Sequence, residues 1–422
     1  ATTLVFAGPL RAANDASLAD ENPGERPNVL FIAVDDLRPE FGVYGSRALT
    51  PNLDRLAASG IRFERAYCNQ AVCGASRFSL MTGLYPEFSD ERTYHIRDWR
   101  ERHPEVVTLN QLFLESGYTT IGLGKVYHRW VGPDVDLANW TAWIPFEGEK
   151  YVNPDSIALG QRQAAAFGKP FSRPPTTERG EAEDAADRYF DGWRADEGAR
   201  QLEQLAAADE PFFLAVGFSK PHLPFNAPAA FWDLYEREDF ALPSNLGVPP
   251  GYPTYASNSR PGELRHYSDV PPASDGGNTP IPAEFPDAMN RRLLHGYHAC
   301  VSYTDRNVGR LLDALERTGE ADRTIIVLWG DHGWKLGDHH SWCKHTNFEC
   351  DTRVPLVVVT PQLEQAQGVS DALVELIDLY PTLAELCGLE APAHLQGRSL
   401  VPVLEDPLSP HRDFAYSSYP HD

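Results

Sequence analysis

The chain of 422 residues contains no apolar run near the roughly 18 residues that a membrane-spanning helix requires, so we expect no membrane span. Basic residues are scarce relative to acidic ones, with 37 Lys and Arg against 60 Asp and Glu and a net charge of −23. Proteins that bind nucleic acids or anionic membranes need basic faces, so neither class is indicated. An anionic substrate must therefore be bound by a local cluster of cationic side chains.

Cysteines are few and are not arranged as zinc ligands. The six cysteines include no C-x-x-C pair and are too sparse for a disulfide scaffold, although one or two disulfides stay open in an oxidising compartment. Internal repeats and low-complexity tracts are also absent. Hydrophobic residues make up 42% of the chain, which is enough for a large buried core and excludes global disorder.

Residues 1–25 and residues 26–422 carry different patterns. The first segment begins with an apolar stretch from Leu4 to Leu10, and two interpretations stay open: the remnant of a secretory signal, or a disordered N-terminus. The second alternates between strand-like and helix-like segments, which predicts one catalytic α/β domain with a large, mainly parallel central sheet flanked by helices. The apolar runs that predict strands are 29–34, 119–123, 212–218, 324–329 and 355–360.

Helices and loops are indicated by periodicity and by turn residues. Residues 286–318 carry an apolar stripe that stops at Gly319, and residues 371–387 are expected to form a further helix that stops at Gly388. Two stretches rich in Pro, Gly and polar residues, 131–185 and 241–285, resist assignment. They are either the walls of a substrate cleft or plain surface loops.

Charged side chains follow four of the predicted strands at the point where each strand ends. In an open parallel sheet, ligands bind outside the carboxyl ends of the strands, so these side chains are expected to meet at one edge. In strand order they are Asp35 and Asp36, then Lys125 and His128, then Lys220 and His222, and finally Asp331 and His332. A lone acidic pair usually caps a helix or lies in a turn, but three converging carboxylates repel each other unless a cation lies among them. Asp35, Asp36 and Asp331 therefore indicate Ca²⁺ or Mg²⁺.

A cysteine and an arginine occupy the start of a predicted short helix. The segment CGASR, residues 73–77, is expected to open this helix, and Gly83 to end it. Cys73 would lie at the helix N-terminus, which favours anions, and Arg77 would lie one turn further on the same face. A cysteine near an arginine is usually structural when it stands alone. A nucleophile beside a guanidinium at a helix start is nevertheless suited to attack a tetrahedral oxyanion ester.

This segment, C-x-A-S-R followed by T-G, resembles the signature of the type I sulfatase family, with Ala75 in place of the commoner Pro. The resemblance covers nearly the whole chain from Arg26 and is nearest to the iduronate-2-sulfatase branch. It is carried by RPNVLFIAVDDLRP (26–39), QAVCGASRFSLMTG (70–83), GKVYH (124–128), PFFLAVGFSKPHLPF (211–225), DHGWKLGDH (331–339) and AYSSYP (415–420). It implies an alkaline-phosphatase-like sandwich and a small C-terminal antiparallel subdomain, which we expect to be truncated here or supplied by a separate chain.

The resemblance also implies the chemistry. A maturation enzyme would convert Cys73 to formylglycine, whose hydrate would attack the sulfur of a sulfate ester. One Ca²⁺, with Mg²⁺ as the less favoured metal, would be held by Asp35, Asp36, Asp331 and His332 together with residue 73. Catalysis would be completed by Arg77, Lys125 and Lys344, which neutralise charge on the sulfuryl group, by His222 as general acid and by His128 as general base.

The implied substrate is a sulfated carbohydrate such as a glycosaminoglycan, with the 2-O-sulfate of a uronate as the expected ester. Trp334, His345 and Arg353 are candidates for sugar binding, with loop packing as the alternative. Two other functions stay open: a phosphonate or phosphate monoester hydrolase of the same superfamily, and a non-catalytic sulfated-glycan-binding protein. The resemblance implies a secreted or periplasmic protein, or a lysosomal one in an animal.

Overall fold

A nine-stranded sheet forms the centre of the computed structural model, which describes residues 5–6, 26–89, 99–128, 136–145, 147–167, 174–208, 210–246, 250–251, 263–264, 267–270, 285–361, 363 and 366–419. In sheet order its strands are β1 (Val5–Phe6), β5 (Ala142–Ile144), β4 (Thr119–Gly124), β7 (Phe212–Phe218), β2 (Asn28–Val34), β9 (Thr324–Gly330), β12 (Arg353–Val359), β3 (Ile61–Tyr67) and β13 (Gly368–Glu375). Two small sheets accompany it, a parallel pair of β6 (Thr177–Gly180) and β8 (Phe225–Pro228) and an antiparallel pair of β10 (Lys335–Leu336) and β11 (Trp342–Cys343).

The middle of the large sheet is parallel. Strands β5, β4, β7, β2 and β9 all run in one direction, so their carboxyl ends lie at the same edge. Strand β12 runs antiparallel between β9 and β3, and therefore begins at the edge where β9 ends. The predicted mainly parallel sheet is confirmed.

Helices cover both faces of this sheet. Along β2, Leu30, Ile32 and Val34 pack into one hydrophobic cluster, while Val29 and Phe31 pack into another on the opposite face. A strand buried on both faces reads as a continuous apolar run, as β2 does. The helices are α1 (Pro51–Ala58), α2 (Cys73–Thr82), α3 (Pro86–Ser89), α4 (Trp99–Arg102), α5 (Leu109–Glu115), α6 (Pro154–Phe167), α7 (Ala185–Arg188), α8 (Phe190–Ala206), α9 (Ala229–Trp232), α10 (Asp287–Thr318), α11 (Glu349–Thr352), α12 (Leu379–Leu386) and α13 (Val401–Glu405).

The predicted long helix over 286–318 is confirmed as α10. It ends at Gly319, whose backbone is left-handed with φ 75°, a conformation that glycine adopts without steric cost. Within the described residues, no helix combines the length and the apolar character that crossing a bilayer requires.

One sequence prediction about secondary structure is wrong, and one unassigned stretch contains regular structure. Residues 371–387 do not form one helix: residues 371–375 complete β13, which pairs in parallel with β3, and α12 starts only at Leu379. Buried and exposed positions alternate in the first part of β13, the period of a strand rather than of a helix. The stretch 131–185 is not structureless either, because it contains β5, α6 and β6. Most of 241–285, together with residues 1–4 and 7–25, lies outside the described residues.

Candidate active site

The parallel strands carry charged side chains to one edge of the sheet. The backbone N–H groups of the first residues beyond β2, β4 and β9 continue the strand ladder, with Asp35 N bonded to Phe218 O (3.2 Å), Lys125 N to Gly217 O (2.8 Å) and Asp331 N to Val34 O (3.2 Å). The chain then turns at Asp36, whose backbone is left-handed with φ 58°. This turn allows the neighbouring carboxylates of Asp35 and Asp36 to face the same site, which an extended chain would not permit.

The five predicted metal ligands, together with His222, lie at this edge. One potential ligand atom each from Asp35, Cys73, Asp331 and His332 lies within 4.8 Å of the others, and an overlapping group joins Asp36 and His222 to Asp35 and Cys73. All of the predicted ligands are completely buried. The Oδ2 atom of Asp36 is buried without a hydrogen-bond partner, which is costly unless a cation binds it. The donor set therefore fits a hard divalent cation, for which carboxylate oxygens are the preferred ligands.

Cys73 is the first residue of α2, as predicted, and faces the carboxylate cluster. Its Sγ atom lies 3.1 Å from Nε2 of His332. Three residues further along α2, the Ser76 hydroxyl donates a hydrogen bond to the Asp331 carbonyl. Burial, followed by the charge of Asp35, raises the pKa of the Cys73 thiol well above its usual range. An unmodified thiol at this position is therefore protonated and a poor nucleophile.

Arg77 is one turn further along α2 and is completely buried. Its Nε atom donates to Oδ2 of Asp331 (2.9 Å), its Nη2 atom donates to Oδ1 of Asp35 (3.2 Å), and its Nη1 atom donates to the carbonyls of Lys125 and Val126. The sequence predicted that Arg77 neutralises sulfate charge. That role stays a prediction. The observed contacts show that the guanidinium also bonds to two carboxylates of the cluster and so fixes their positions.

Two lysines complete the charge balance of the site. Lys125 pairs with Asp35, and Nζ of the buried Lys344 donates to Oδ1 of Asp36 at 2.8 Å. Burial, offset in part by Lys344, raises the pKa of Asp36 to about 7. Burial also acts to raise the pKa of Asp35, but the charges led by Lys125 lower it well below its usual range. Three carboxylates thus face the three permanent cations Arg77, Lys125 and Lys344.

The two predicted acid–base histidines flank this cluster. The Nδ1 atom of His222 lies 2.7 Å from the Leu223 carbonyl, so Nδ1 carries the proton and Nε2 is directed toward Asp35 and Asp36, at 3.9 Å from each. Burial lowers the pKa of His222. His128 follows β4, and burial together with Lys125 lowers its pKa to about 2, so its imidazole is neutral.

Glu263 is a site residue that the sequence reasoning missed. Its Oε2 atom lies 3.2 Å from Nε2 of His222, and its Oε1 atom lies 3.1 Å from Nζ of Lys344. It lies within the Pro- and Gly-rich stretch 241–285, far along the chain from both partners, and no motif marks it. This carboxylate therefore links the predicted general acid to one of the two lysines of the site.

The three predicted sugar-binding residues are placed differently from expectation. Trp334 is completely buried beneath Lys344, whose Nζ lies 5.0 Å from the ring centroid, so its ring does not offer a face to a sugar. The Arg353 side chain is directed to Glu64, with Nη2 3.0 Å from the carboxylate. His345 is half-buried, with its ring 6.0 Å from that of Tyr419. Loop packing, the alternative interpretation, describes Trp334 and Arg353 better.

The sequence matches known proteins over most of its length. Residues 27–389 match the family model described as Sulfatase. Human iduronate 2-sulfatase is 34% identical over 447 residues, a match that covers 93% of this chain and 78% of the relative. A sulfatase of Formosa agariphila is 32% identical over 416 residues, covering 94% of this chain and 76% of the relative.

Solved structures share the fold. BT4656 in complex with its substrate D-glucosamine-2-N,6-O-disulfate has a TM-score of 0.72 at 23% identity and covers 94% of this chain and 85% of its own. The phosphonate monoester hydrolase of Agrobacterium radiobacter has a TM-score of 0.66 at 23% identity and covers 92% of this chain and 78% of its own. The predicted alkaline-phosphatase-like architecture is thereby confirmed. Because the family model spans most of the chain, the protein belongs to the sulfatase family and is a sulfuric ester hydrolase.

Proposed function

We propose that this sulfatase removes the 2-O-sulfate of a uronate in a sulfated carbohydrate, with Cys73 converted to formylglycine. The observation that carries the proposal is the convergence of Cys73 with the carboxylates, His332 and the lysines in one buried cluster at the sheet edge. The similarity to iduronate 2-sulfatase supports the uronate 2-sulfate as the ester. Formylglycine would supply a hydrated aldehyde whose hydroxyl is the nucleophile.

We further propose that the metal is Ca²⁺, held by Asp35, Asp36, Asp331 and His332 with residue 73. When bound, the cation would polarise a sulfate oxygen. The charge balance supports this assignment. Asp35, Asp36, Asp331 and Glu263 face only the three permanent cations Arg77, Lys125 and Lys344, so the residues alone give no net positive charge to attract a sulfate ester in a chain of charge −23. A divalent cation leaves the site with an excess of positive charge where an anion must bind.

The side chains around the cluster would provide charge stabilisation, a general acid and a general base. Lys125 and Lys344 both lie close enough to Cys73 to act on the pKa of its thiol, and their ammonium groups would stabilise the negative charge that develops on the sulfuryl oxygens. His222 presents Nε2 toward the cluster and toward the Glu263 carboxylate, 3.2 Å away, which favours a proton on Nε2. In the imidazolium form, with a proton on each nitrogen, it would donate the Nε2 proton to the departing sugar oxygen. The neutral His128 would accept the proton that is released when sulfate leaves residue 73. Each acid or base role typically contributes about 10²–10⁴-fold to the rate.

The proposed function requires two partners, a maturation enzyme and a sulfated polysaccharide. Conversion of Cys73 requires a formylglycine-generating maturation enzyme, and the substrate is a glycosaminoglycan or a similar sulfated polysaccharide. We propose that the protein acts in a secreted or periplasmic setting, or in the lysosome of an animal source, where such polymers are degraded.

The experiment that tests the function is sulfate release from defined oligosaccharides. The panel contains a terminal 2-O-sulfated uronate, the same sugars sulfated at other positions, an aryl sulfate and a phosphonate monoester, and Cys73→Ala is the control. We expect release from the terminal 2-O-sulfated uronate and none with the Cys73→Ala variant. Release only from sugars sulfated elsewhere would overturn the uronate assignment, and preferential cleavage of the phosphonate would favour the second hydrolase activity.

A further inference from the structure

Glu263 belongs to the active site, but it is not part of either group of candidate metal ligands found among the described residues. Its carboxylate oxygens lie 3.1 Å from Nζ of Lys344 and 3.2 Å from Nε2 of His222. In the proposed function, Lys344 stabilises the sulfuryl oxygens and His222 protonates the departing oxygen. Glu263 therefore places a negative charge against two groups that would contact the reacting ester, and metal binding does not account for that charge.

The backbone beside Glu263 is anchored in the hydrophobic core. Leu264, the next residue, is completely buried, and its carbonyl accepts a hydrogen bond from the N–H of Tyr267 at 3.0 Å. The Glu263 side chain itself is 17% exposed, whereas that of Lys344 is completely buried. Of these two ion-pair partners, the carboxylate is thus the one that solvent reaches, and a substrate that approaches Lys344 from solvent must pass close to it.

Hydrogen-bond geometry limits the distance between Glu263 and an ester that Lys344 binds. An ammonium group has three N–H donors, so a sulfuryl oxygen can bind beside the carboxylates of Asp36 and Glu263 that Nζ already contacts. That oxygen then lies at most about 6 Å from Oε1 of Glu263, the sum of two hydrogen-bond lengths. At this separation in a partly buried site, each further negative charge on the ester is repelled strongly enough to weaken binding by about 10- to 100-fold.

Net charge distinguishes sulfate monoesters from phosphate monoesters. A sulfate monoester carries one negative charge, whereas a phosphate monoester carries nearly two above neutral pH because its second pKa is about 6. The Glu263 carboxylate lowers the net charge of the site by one unit, whatever charge a bound cation adds. This reduction disfavours a doubly charged ester more than a singly charged one. The fold alone does not make this choice, since a phosphonate monoester hydrolase shares it.

We propose that Glu263 is a specificity residue, which makes the site bind singly charged sulfate esters in preference to doubly charged phosphate esters. The inference rests on the proposed function in placing Lys344 at the sulfuryl group, and it does not depend on which sugar carries the sulfate. A phosphonate monoester carries a single negative charge, so Glu263 disfavours it no more than a sulfate ester. The residue thus selects by charge and not by the central atom of the ester.

The test is equilibrium binding to the Cys73→Ala protein in saturating Ca²⁺ at about pH 8, which requires no turnover. Its ligands are phenyl sulfate and phenyl methylphosphonate, with one negative charge each, and phenyl phosphate, with two. Glu263→Gln is expected to strengthen binding of phenyl phosphate, relative to the two singly charged esters, by about 10- to 100-fold. Glu263→Asp retains the charge and should keep most of the original preference. Glu316→Gln, which removes an exposed carboxylate near the C-terminal end of α10, is the matched control and should leave the preference unaltered.

The outcomes separate this inference from the proposed function. An equal effect of Glu263→Gln on all three esters, or no effect, would overturn selection by charge. A gain shared by phenyl phosphate and phenyl methylphosphonate would show that the central atom decides, and failure of all three esters to bind would overturn the placement of Lys344; either result overturns the inference. Absence of sulfate release from 2-O-sulfated uronate by the converted wild-type enzyme would overturn the proposed function, while the binding preference still decides the role of Glu263.

Discussion

Replacing Arg77 by Met tests whether a metal ion lies among the carboxylates at the sheet edge. The substitution removes a completely buried guanidinium and leaves the Asp331 and Asp35 carboxylates without the two charge-assisted bonds that now hold them at 2.9 and 3.2 Å. Breaking a buried ion pair by removing one partner costs about 3–5 kcal/mol of folding free energy. We expect a loss of that size in the free energy of unfolding when divalent cations are chelated.

Saturating Ca²⁺ should reduce this loss. A cation bound to Asp35 and Asp331 supplies the countercharge that Arg77 no longer provides, and coupling between neighbouring sites is typically about 1–3 kcal/mol. By linkage, the variant should bind Ca²⁺ more tightly by the corresponding factor, about 5- to 150-fold. Arg77→Lys retains a positive charge and should show a smaller version of both effects.

Urea unfolding in chelator and in saturating Ca²⁺ measures both quantities. Arg194→Met is the matched control, since Arg194 is equally buried but pairs with Asp191, with Nη1 2.7 Å from the carboxylate. That variant should lose similar stability in both conditions. If the loss caused by Arg77→Met is the same with and without Ca²⁺, the metal does not bind among these carboxylates and the reasoning fails.

Three other substitutions probe separate parts of the account. Cys73→Ala should abolish sulfate release yet keep a Ca²⁺-dependent rise in melting temperature, and loss of that rise would make residue 73 indispensable to the metal site. His222→Gln should slow sulfate release from a sugar sulfate by about 10²–10⁴-fold. Release from an activated aryl sulfate should slow far less, because a good leaving group needs no proton. Equal losses on both substrates would show that His222 is not the general acid. Asp378→Asn should cost about 3 kcal/mol of stability at pH 7, because the buried carboxylate binds His411 (3.1 Å) and Arg412. Burial acts to raise the pKa of Asp378, but the bonds from His411 and Arg412 bring it below its usual value. The difference in unfolding free energy between the wild type and Asp378→Asn should therefore be complete above about pH 4. It should fall as the pH drops through the lowered pKa of Asp378. Urea midpoints across this range measure it, and a difference that stays constant with pH would contradict the assignment.

The sheet and its charged edge were predictable because buried parallel strands have a clear sequence pattern. The run that became β2 is apolar at every position since both of its faces are covered, and its end is marked by Asp35 and Asp36. Because β2 and β9 pair in parallel, their carboxyl ends lie side by side, and the sequence pattern of the two strands is enough to predict this. The helix start at Cys73 was likewise predictable, since Gly83 marks where α2 ends.

The contacts within the site were not predictable, because they depend on side-chain directions that neighbouring elements decide. Spacing along α2 places Arg77 on the face of Cys73, but only the packed structure directs its guanidinium to Asp331. Trp334 follows Asp331 closely and was predicted to bind a sugar face, whereas its ring is completely buried against His222, Phe225 and Lys344. Glu263 lies in an irregular segment, where no periodicity relates a residue to the sheet edge.

The strand β13 illustrates the same limit for secondary structure. Residues 371–387 contain enough apolar residues for one long helix, and only pairing with the edge of β3 converts the first part of the segment into a strand. Tertiary contacts outweighed local propensity at this edge.

In the proposed mechanism, residue 73 acts only after conversion of its thiol to formylglycine. Preparations made with and without a formylglycine-generating enzyme will contain different fractions of converted protein, which the mass of peptide 66–77 reports through the loss of one sulfur and two hydrogens and the gain of one oxygen. Sulfate release from 2-O-sulfated uronate should rise in proportion to the converted fraction and extrapolate to zero for the unconverted protein. Equal rates in preparations of different conversion would contradict the account.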